Sequence, residues 1–199
     1  MKPSILNRKP SILKRIQDHF LVQRASAFAA AKHIKQKRKY TGEPYWNHLH
    51  EVASLVKGVN QPAHVIAAAY LHDTVEDTPT TNDEIKKKFG AKVAQLVHEV
   101  TDQSMSMFNK KGDNYYNSEG KLMNREARKK IDREHLAKAS SEGATIKLAD
   151  FISNTKSIAK HDPHFAKRYL AEKAAILPHL KHGNPKLYKM ALKDTPDGE

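Results

Sequence analysis

Residues 62–77 read PAHVIAAAYLHDTVED. Pro62 suits the start of a helix, where its missing N–H costs little. From Ala63 to Leu71 the segment is apolar almost all round, which predicts a helix at the buried centre of the fold. The polarity then changes abruptly. His72 and Asp73 recur one turn later as Glu76 and Asp77. In a continuous helix, pairs 72/76 and 73/77 stack on neighbouring strips of one face. Three carboxylates and an imidazole at that spacing repel one another unless a positive charge lies among them. A divalent metal answers that demand and leaves spare carboxylates for acid/base work.

Helical spacing continues on both sides of this stretch. Leu13, Ile16, Phe20, Ala27 and Phe28 predict a first helix over about 12–39, broken by Thr41-Gly42-Glu43-Pro44. Leu49, Val52, Ala53 and Val56 predict a second over 45–57. Thr81 is placed to cap a short helix with Asp83 and Glu84 in its first turn and Gly90 just past its end. Further helices are expected at about 91–101, 121–139, 143–160, 163–182 and 185–193. Residues 102–120 are rich in Asn, Gly, Ser and Asp, carry Met105, Met107, Phe108, Tyr115 and Tyr116, and show no sustained period. They read as a long mobile loop over the site. The predicted fold class is all-α, a helical bundle.

The chain has 199 residues, enough for one domain with a real core. Its 35 Lys+Arg against 22 Asp+Glu leave a formal charge of +13, which implies a polyanionic partner: a nucleotide polyphosphate, a nucleic acid or an acidic membrane surface. Cysteine is absent, which removes disulfides, thiol nucleophiles and thiolate metal sites together. No apolar run approaches the ~18 residues of a membrane span. The N-terminus repeats itself as KPSILNR (2–8) and KPSILKR (9–15) and holds no acid before Asp18. We read 1–15 as a basic arm and 16–195 as the domain, with a cytoplasmic location expected.

An adjacent His-Asp pair offers only two ligands, so other helices must supply the rest. His48 lies on the second helix and Asp150 in TIKLADFISNT, on a late one. His48, His72, Asp73 and Asp150 would make a set of two nitrogens and two oxygens, with room for water and a substrate oxygen.

Read in order, these blocks resemble the HD-domain phosphohydrolases, specifically the RelA/SpoT-type alarmone hydrolases and their single-domain relatives, the small alarmone hydrolases and metazoan SpoT homologs. The likeness spans roughly residues 20–180. It rests on Arg38-Lys39 before Gly42-Glu43-Pro44-Tyr45, on His48, and on the HDxxED block from His72 to Asp77. It continues through FGAKVAQLVHEVTD (89–102) and KLADFISN (147–154). HD alone marks a broad superfamily; HDxxED joined to the other blocks in this order is far more specific.

The resemblance implies a single HD-domain bundle and hydrolysis of the 3′-pyrophosphate of guanosine tetra- or pentaphosphate to GDP or GTP. It implies Mn²⁺ on His48, His72, Asp73 and Asp150, and Glu76 and Asp77 as the acidic pair serving the attacking water. Asn154 and Ser157 then match nucleotide-contacting positions, Arg38 and Lys39 the pair around the purine, and Arg125 and Arg168 the basic helices that meet phosphates. Lys147 would help neutralise phosphate charge. Departures bear on substrate choice: Leu49 replaces the usual Pro after the first His, Tyr40 is inserted after Arg38-Lys39, and Phe151 follows Asp150 in place of a basic residue. A related nucleotide (an adenosine alarmone or the 2′-phosphate of NADPH) is the competing enzymatic reading. A nucleotide- or nucleic-acid-binding module without catalysis is the non-enzymatic one, and no aromatic-basic RNA-recognition motif favours it. Oligomeric state is not legible.

Overall fold

The apolar stretch Ala63–Leu71 forms helix α3 and is the centre of the molecule, with Val65, Ala67, Ala68, Ala69 and Leu71 fully buried. This computed structural model describes residues 10–102, 109–111, 114–116, 122–193 and 195. Before α3 come α1 (Ile12–Lys32) and α2 (Trp46–Lys57). After it come α4 (Thr74–Asp77), α5 (Asn82–Phe89) and α6 (Ala91–Val100). The C-terminal half holds α7 (Arg125–Leu136), α8 (Ser141–His161), α9 (Pro163–Ile176), a 3₁₀ turn at Leu177–Leu180, and α10 (Pro185–Leu192). Helices α1, α2, α6 and α8 surround α3, and α9 and α10 pack on the far side of α8. The described residues share one core, in which Leu49, Val52, Val56, Leu96, Val97, Ile146 and Leu148 meet α3. Among the described residues no helix is long and apolar enough to cross a membrane.

Local chemistry sets the boundaries. The Thr81 hydroxyl accepts from Glu84 N–H (3.2 Å), and Gly90 at φ +92° turns the chain from α5 into α6. Ser140 caps α8 through Gly143 N–H, and its own N–H and hydroxyl are fixed by Glu99 Oε2 (3.0 and 2.6 Å). Asp162 caps α9, with Pro163 at its first position.

Three expectations change. The first helix stops at Lys32 rather than running to Lys39. Beyond it, residues 36–45 fold back on themselves, with Arg38 N–H bonded to Glu43 O (2.8 Å) and Tyr45 N–H to Gln36 O (3.0 Å) around Gly42 at φ +70°. Secondly, residues 63–77 are not one helix: α3 ends at Leu71 and α4 begins at Thr74. The His72 Nδ1–H takes the Ala69 carbonyl (2.8 Å) at the point of the break. A side chain that engages that backbone acceptor competes with continuation of the ladder. Thirdly, the segment read as a structureless loop holds two strands, β1 (Asn109–Lys111) and β2 (Asn114–Tyr116), and a third, β3 (Leu122–Met123), takes the place of the expected start of the 121–139 helix, which begins at Arg125; the three form an antiparallel ribbon. Lys110 pairs with Tyr115, and Tyr116 with Leu122. Strands of two or three residues are too short to register as a sequence period. Met105, Met107 and Phe108 lie outside the described residues, as do residues 1–9 of the basic arm. The arm's last residues, from Ile12, already belong to α1.

Candidate active site

Where α3 breaks, His72 is fully enclosed. Its Nδ1–H is committed to Ala69 O, so Nε2 is the free ring nitrogen. His48, in the first turn of α2, is fixed in the same tautomer by different means. Its Nδ1 lies 2.9 Å from Ser153 Oγ, and that hydroxyl donates to Glu51 Oε2 at 2.6 Å. A serine has one proton; given to a carboxylate, it leaves the oxygen to accept from His48 Nδ1–H. Both Nε2 atoms are buried, and neither makes a hydrogen bond.

They converge on two carboxylates. Asp150 Oδ1 of α8 lies 3.3 Å from His48 Nε2 and 3.7 Å from His72 Nε2. Asp73 Oδ2, at the mouth of α4, lies 3.5 and 3.1 Å from the same atoms. Ligand atoms of His48, His72 and Asp150 all fall within 4.8 Å of one another. Burial opposes charge on every member, yet the carboxylates raise both imidazoles and the imidazoles, with Lys147 beside Asp150, hold Asp73 and Asp150 well below the usual carboxylate range. Such a set demands positive charge at its centre, and protons or a divalent cation would meet it. Two orphaned imidazole nitrogens facing two buried carboxylates fit a cation preferring nitrogen and oxygen donors.

A second layer orients these groups. Tyr45 OH donates to Asp73 Oδ2 (2.6 Å), Lys147 Nζ is 3.1 Å from Asp150 Oδ2, and Asn154 Nδ2 donates to Asp150 Oδ1 (2.6 Å). Arg38 donates in turn to Asn154 Oδ1 (3.0 Å). Lys147 is therefore an almost buried cation whose ammonium is further stabilised by Asp150, Asp132 and Glu76.

Glu76 and Asp77 stand beside this set rather than in it. Glu76 Oε2 accepts Asp102 N–H (3.1 Å), and burial together with Asp73 pushes its carboxyl up to about 7. Asp77 Oδ2 accepts from Gln36 Nε2 (2.8 Å), and Gln36 Oε1 lies 2.5 Å from His33 Nδ1. Burial and Asp73 raise the Asp77 carboxyl too. Both acids open onto a cleft whose walls also carry Asp102, Arg125, Lys129 and Lys147, with carboxylates outnumbering cations. Arg125 forms a two-pronged pair with Glu172 (2.6 and 2.7 Å). Arg168 is exposed, 3.4 Å from the same Glu172, and lines a neighbouring depression instead. Another depression shares Tyr45 and Asn154 with the cleft and is lined by Arg38, Lys39, Tyr40 and Ser157. There Lys39 Nζ sits 4.9 Å from the Tyr40 ring centre and 5.9 Å from that of Phe165.

Comparison with known proteins agrees with this geometry. The HD-domain family model matches residues 25–182. The chain belongs to the HD-domain family. Among its relatives is the guanosine-3′,5′-bis(diphosphate) 3′-pyrophosphohydrolase MESH1 of Xenopus tropicalis, 36% identical over 150 residues, covering 73% of this chain and 74% of that one. The human protein of the same name is 34% identical over 172 residues, covering 82% and 86%. A solved structure described as a metazoan ortholog of SpoT that hydrolyses ppGpp superposes with a TM-score of 0.73 at 26% identity, over 94% of this chain and 96% of that one.

In this HD domain, His48, His72 and Asp150 meet around one point with Asp73 beside both imidazoles, and Glu76, Asp77, Lys147, Asn154 and Arg125 lie around the adjoining cleft. Arg38, Lys39 and Ser157 lie one step further out, and Arg168 stands apart. Sequence reasoning missed Tyr45, Glu51, Ser153, Gln36 and His33. A weak signal existed for two of them: Glu51 and Ser153 each follow a ligand candidate by three residues, one turn further on the same helix face.

Proposed function

We propose that this chain is a divalent-metal-dependent hydrolase that removes the 3′-pyrophosphate of guanosine tetra- and pentaphosphate, releasing pyrophosphate with GDP or GTP. The observation that carries the reading is the pair of bare, buried Nε2 atoms of His48 and His72 converging on Asp73 and Asp150 next to Glu76. It stands in a chain whose HD-domain relatives bear that activity in their names. Mn²⁺ as the resident ion and a cytoplasmic location belong to the same proposal.

His48, His72, Asp73 and Asp150 would hold a divalent cation, which would supply an acidified water and polarisation of a phosphoryl oxygen. The chain's own groups do the rest. Glu76, titrating at about 7, takes a proton from the attacking water near neutral pH. Asp77, tethered by Gln36, flanks it as the second proton-carrying group. Lys147 and Lys129 offset phosphate charge in the cleft, and Arg125 joins them once it leaves Glu172. Arg38, Lys39 and Tyr40 form the aromatic and cationic wall for the base, with Asn154 linking that wall to Asp150.

The test is direct: metal-loaded protein is incubated with guanosine tetraphosphate and the products are resolved by anion exchange. GDP and pyrophosphate are expected. No turnover with any divalent ion, or release of single phosphates, overturns the proposal. His72→Ala and Asp73→Ala should lose both bound metal and activity, whereas Glu76→Gln should keep the metal and lose turnover.

A further inference from the structure

Helix α1 carries two apolar faces, and among the described residues only one is covered. Its C-terminal half buries Ala25 and Ala29 against α3, with Leu21, Val22 and Phe28 packed beside them. Its N-terminal half exposes Ile12 (76%), Leu13 (65%), Ile16 (47%) and Phe20 (61%). These are four of the six large hydrophobic side chains so exposed among the described residues, which makes their clustering informative. On a helix of 3.6 residues per turn they occupy an arc of about 100°, roughly opposite the arc of Ala25 and Ala29.

The rim of this stripe is cationic. Arg15 and His19 flank one side. Arg24 flanks the other, and its guanidinium bonds Lys88 O (2.6 Å) at the end of α5, where Lys86, Lys87 and Lys88 are all exposed. In sequence, residues 1–9 hold Lys2, Arg8 and Lys9 and no acid; the surface itself is built from the described residues alone. Asp18, the first acid in the chain, lies off the stripe and is paired with Lys14.

We infer that this face of α1, with the lysines of α5, is a docking surface for an anionic lipid bilayer. A narrow apolar stripe bordered by Lys and Arg is what a helix needs to lie in a membrane interface: aliphatic and aromatic side chains enter the acyl boundary while cations meet headgroups. A second copy of the chain would bring identical cationic rims together, which like-charge repulsion opposes. The surface is separate from the HD cleft, so attachment is compatible with turnover.

Flotation of the full chain with vesicles decides the matter. Binding to phosphatidylcholine vesicles containing phosphatidylserine is expected, with little binding to phosphatidylcholine alone and a steep loss as salt rises. The double change I16E/F20E should weaken vesicle binding at least about tenfold. Because both side chains are exposed, helicity by circular dichroism and solution turnover should be unchanged. Replacing Lys86, Lys87 and Lys88 together with Gln should also weaken binding, about tenfold or more. Absence of binding to anionic vesicles, equal binding to neutral ones, or binding undiminished by either set of changes overturns the inference. A dimer in sedimentation velocity that I16E/F20E dissociates, without vesicle binding, overturns it in favour of self-association.

Discussion

Ser153 touches no proposed ligand to the substrate, yet its removal should be felt at the metal. Its hydroxyl accepts from His48 Nδ1–H (2.9 Å) and donates to Glu51 Oε2 (2.6 Å), while Lys156 Nζ closes the line 3.1 Å from Glu51 Oε1. When His48 Nε2 binds a cation, its Nδ1–H becomes a stronger donor and must keep its proton. In Ser153→Ala that buried donor has no acceptor, and Glu51 loses its short bond as well. An orphaned buried donor costs about 1–3 kcal/mol. If most of that cost falls on the metal-bound form, affinity drops roughly 5- to 150-fold, a span that includes the 10- to 100-fold typical of partners behind a metal-ligating histidine. The assay is competition for Mn²⁺ against a chromogenic chelator, alongside urea unfolding of the metal-free protein to separate stability from affinity. Ser153→Thr keeps the hydroxyl and should recover most of the loss. Metal affinity of Ser153→Ala within about twofold of the parent would refute the reasoning.

Glu76 predicts a pH dependence of folding. Its carboxyl rises from 4.5 to about 7 in the folded chain, so between those values the native state holds a proton that the unfolded state releases, and stability falls as pH rises through the window. Metal-free Glu76→Gln should therefore match the parent below pH 4.5 and exceed it above pH 7, by roughly 1–3 kcal/mol in denaturant titrations; equal stability at both ends refutes this. Glu172→Gln frees Arg125 from its two-pronged pair and should lower KM several-fold with kcat little changed, whereas a raised KM would show that Glu172 helps substrate binding. At Gly183 an added Cβ would stand 2.9 Å from Leu148 Cδ1 and 3.1 Å from the backbone of Ala144 and Thr145. Gly183→Ala should thus cost about 1–3 kcal/mol, read as a fall of several degrees in Tm. An unchanged Tm would mean that the turn after the 3₁₀ segment yields freely.

Local signals carried most of the helical architecture. Thr81 followed by Asp83 and Glu84, with Gly90 behind, is a complete start-and-stop pattern for α5, and the structure reproduces it bond for bond. The apolar girth of 63–71 likewise announces burial on all sides. The break after Leu71 left no such trace, because it depends on one imidazole engaging one carbonyl. That break changes how the HDxxED block is understood. His72 and Asp73 do not simply stack over Glu76 and Asp77 on a common helix; the chain turns there, placing the first two on the cation set and the second two along the cleft. The ribbon at 109–123 escaped for another reason: its strands owe their order to pairing with one another. Ser153 and Glu51 left only a weak trace, three residues after Asp150 and His48, because their role exists only once α2 and α8 are side by side.

The composition of the main cleft has a consequence for the order of events. Seven acidic and four cationic side chains line it, so in a chain with formal charge +13 the pocket gathers more acids than cations. A polyphosphate approaching that pocket is attracted at long range and repelled at contact. Binding of cation and nucleotide must then be thermodynamically linked, each raising the affinity for the other by the same factor. Because the acids repel a bare polyphosphate, the expected order has the cation entering first and leaving last. A chelator should strip the resting protein quickly and the nucleotide-saturated protein slowly.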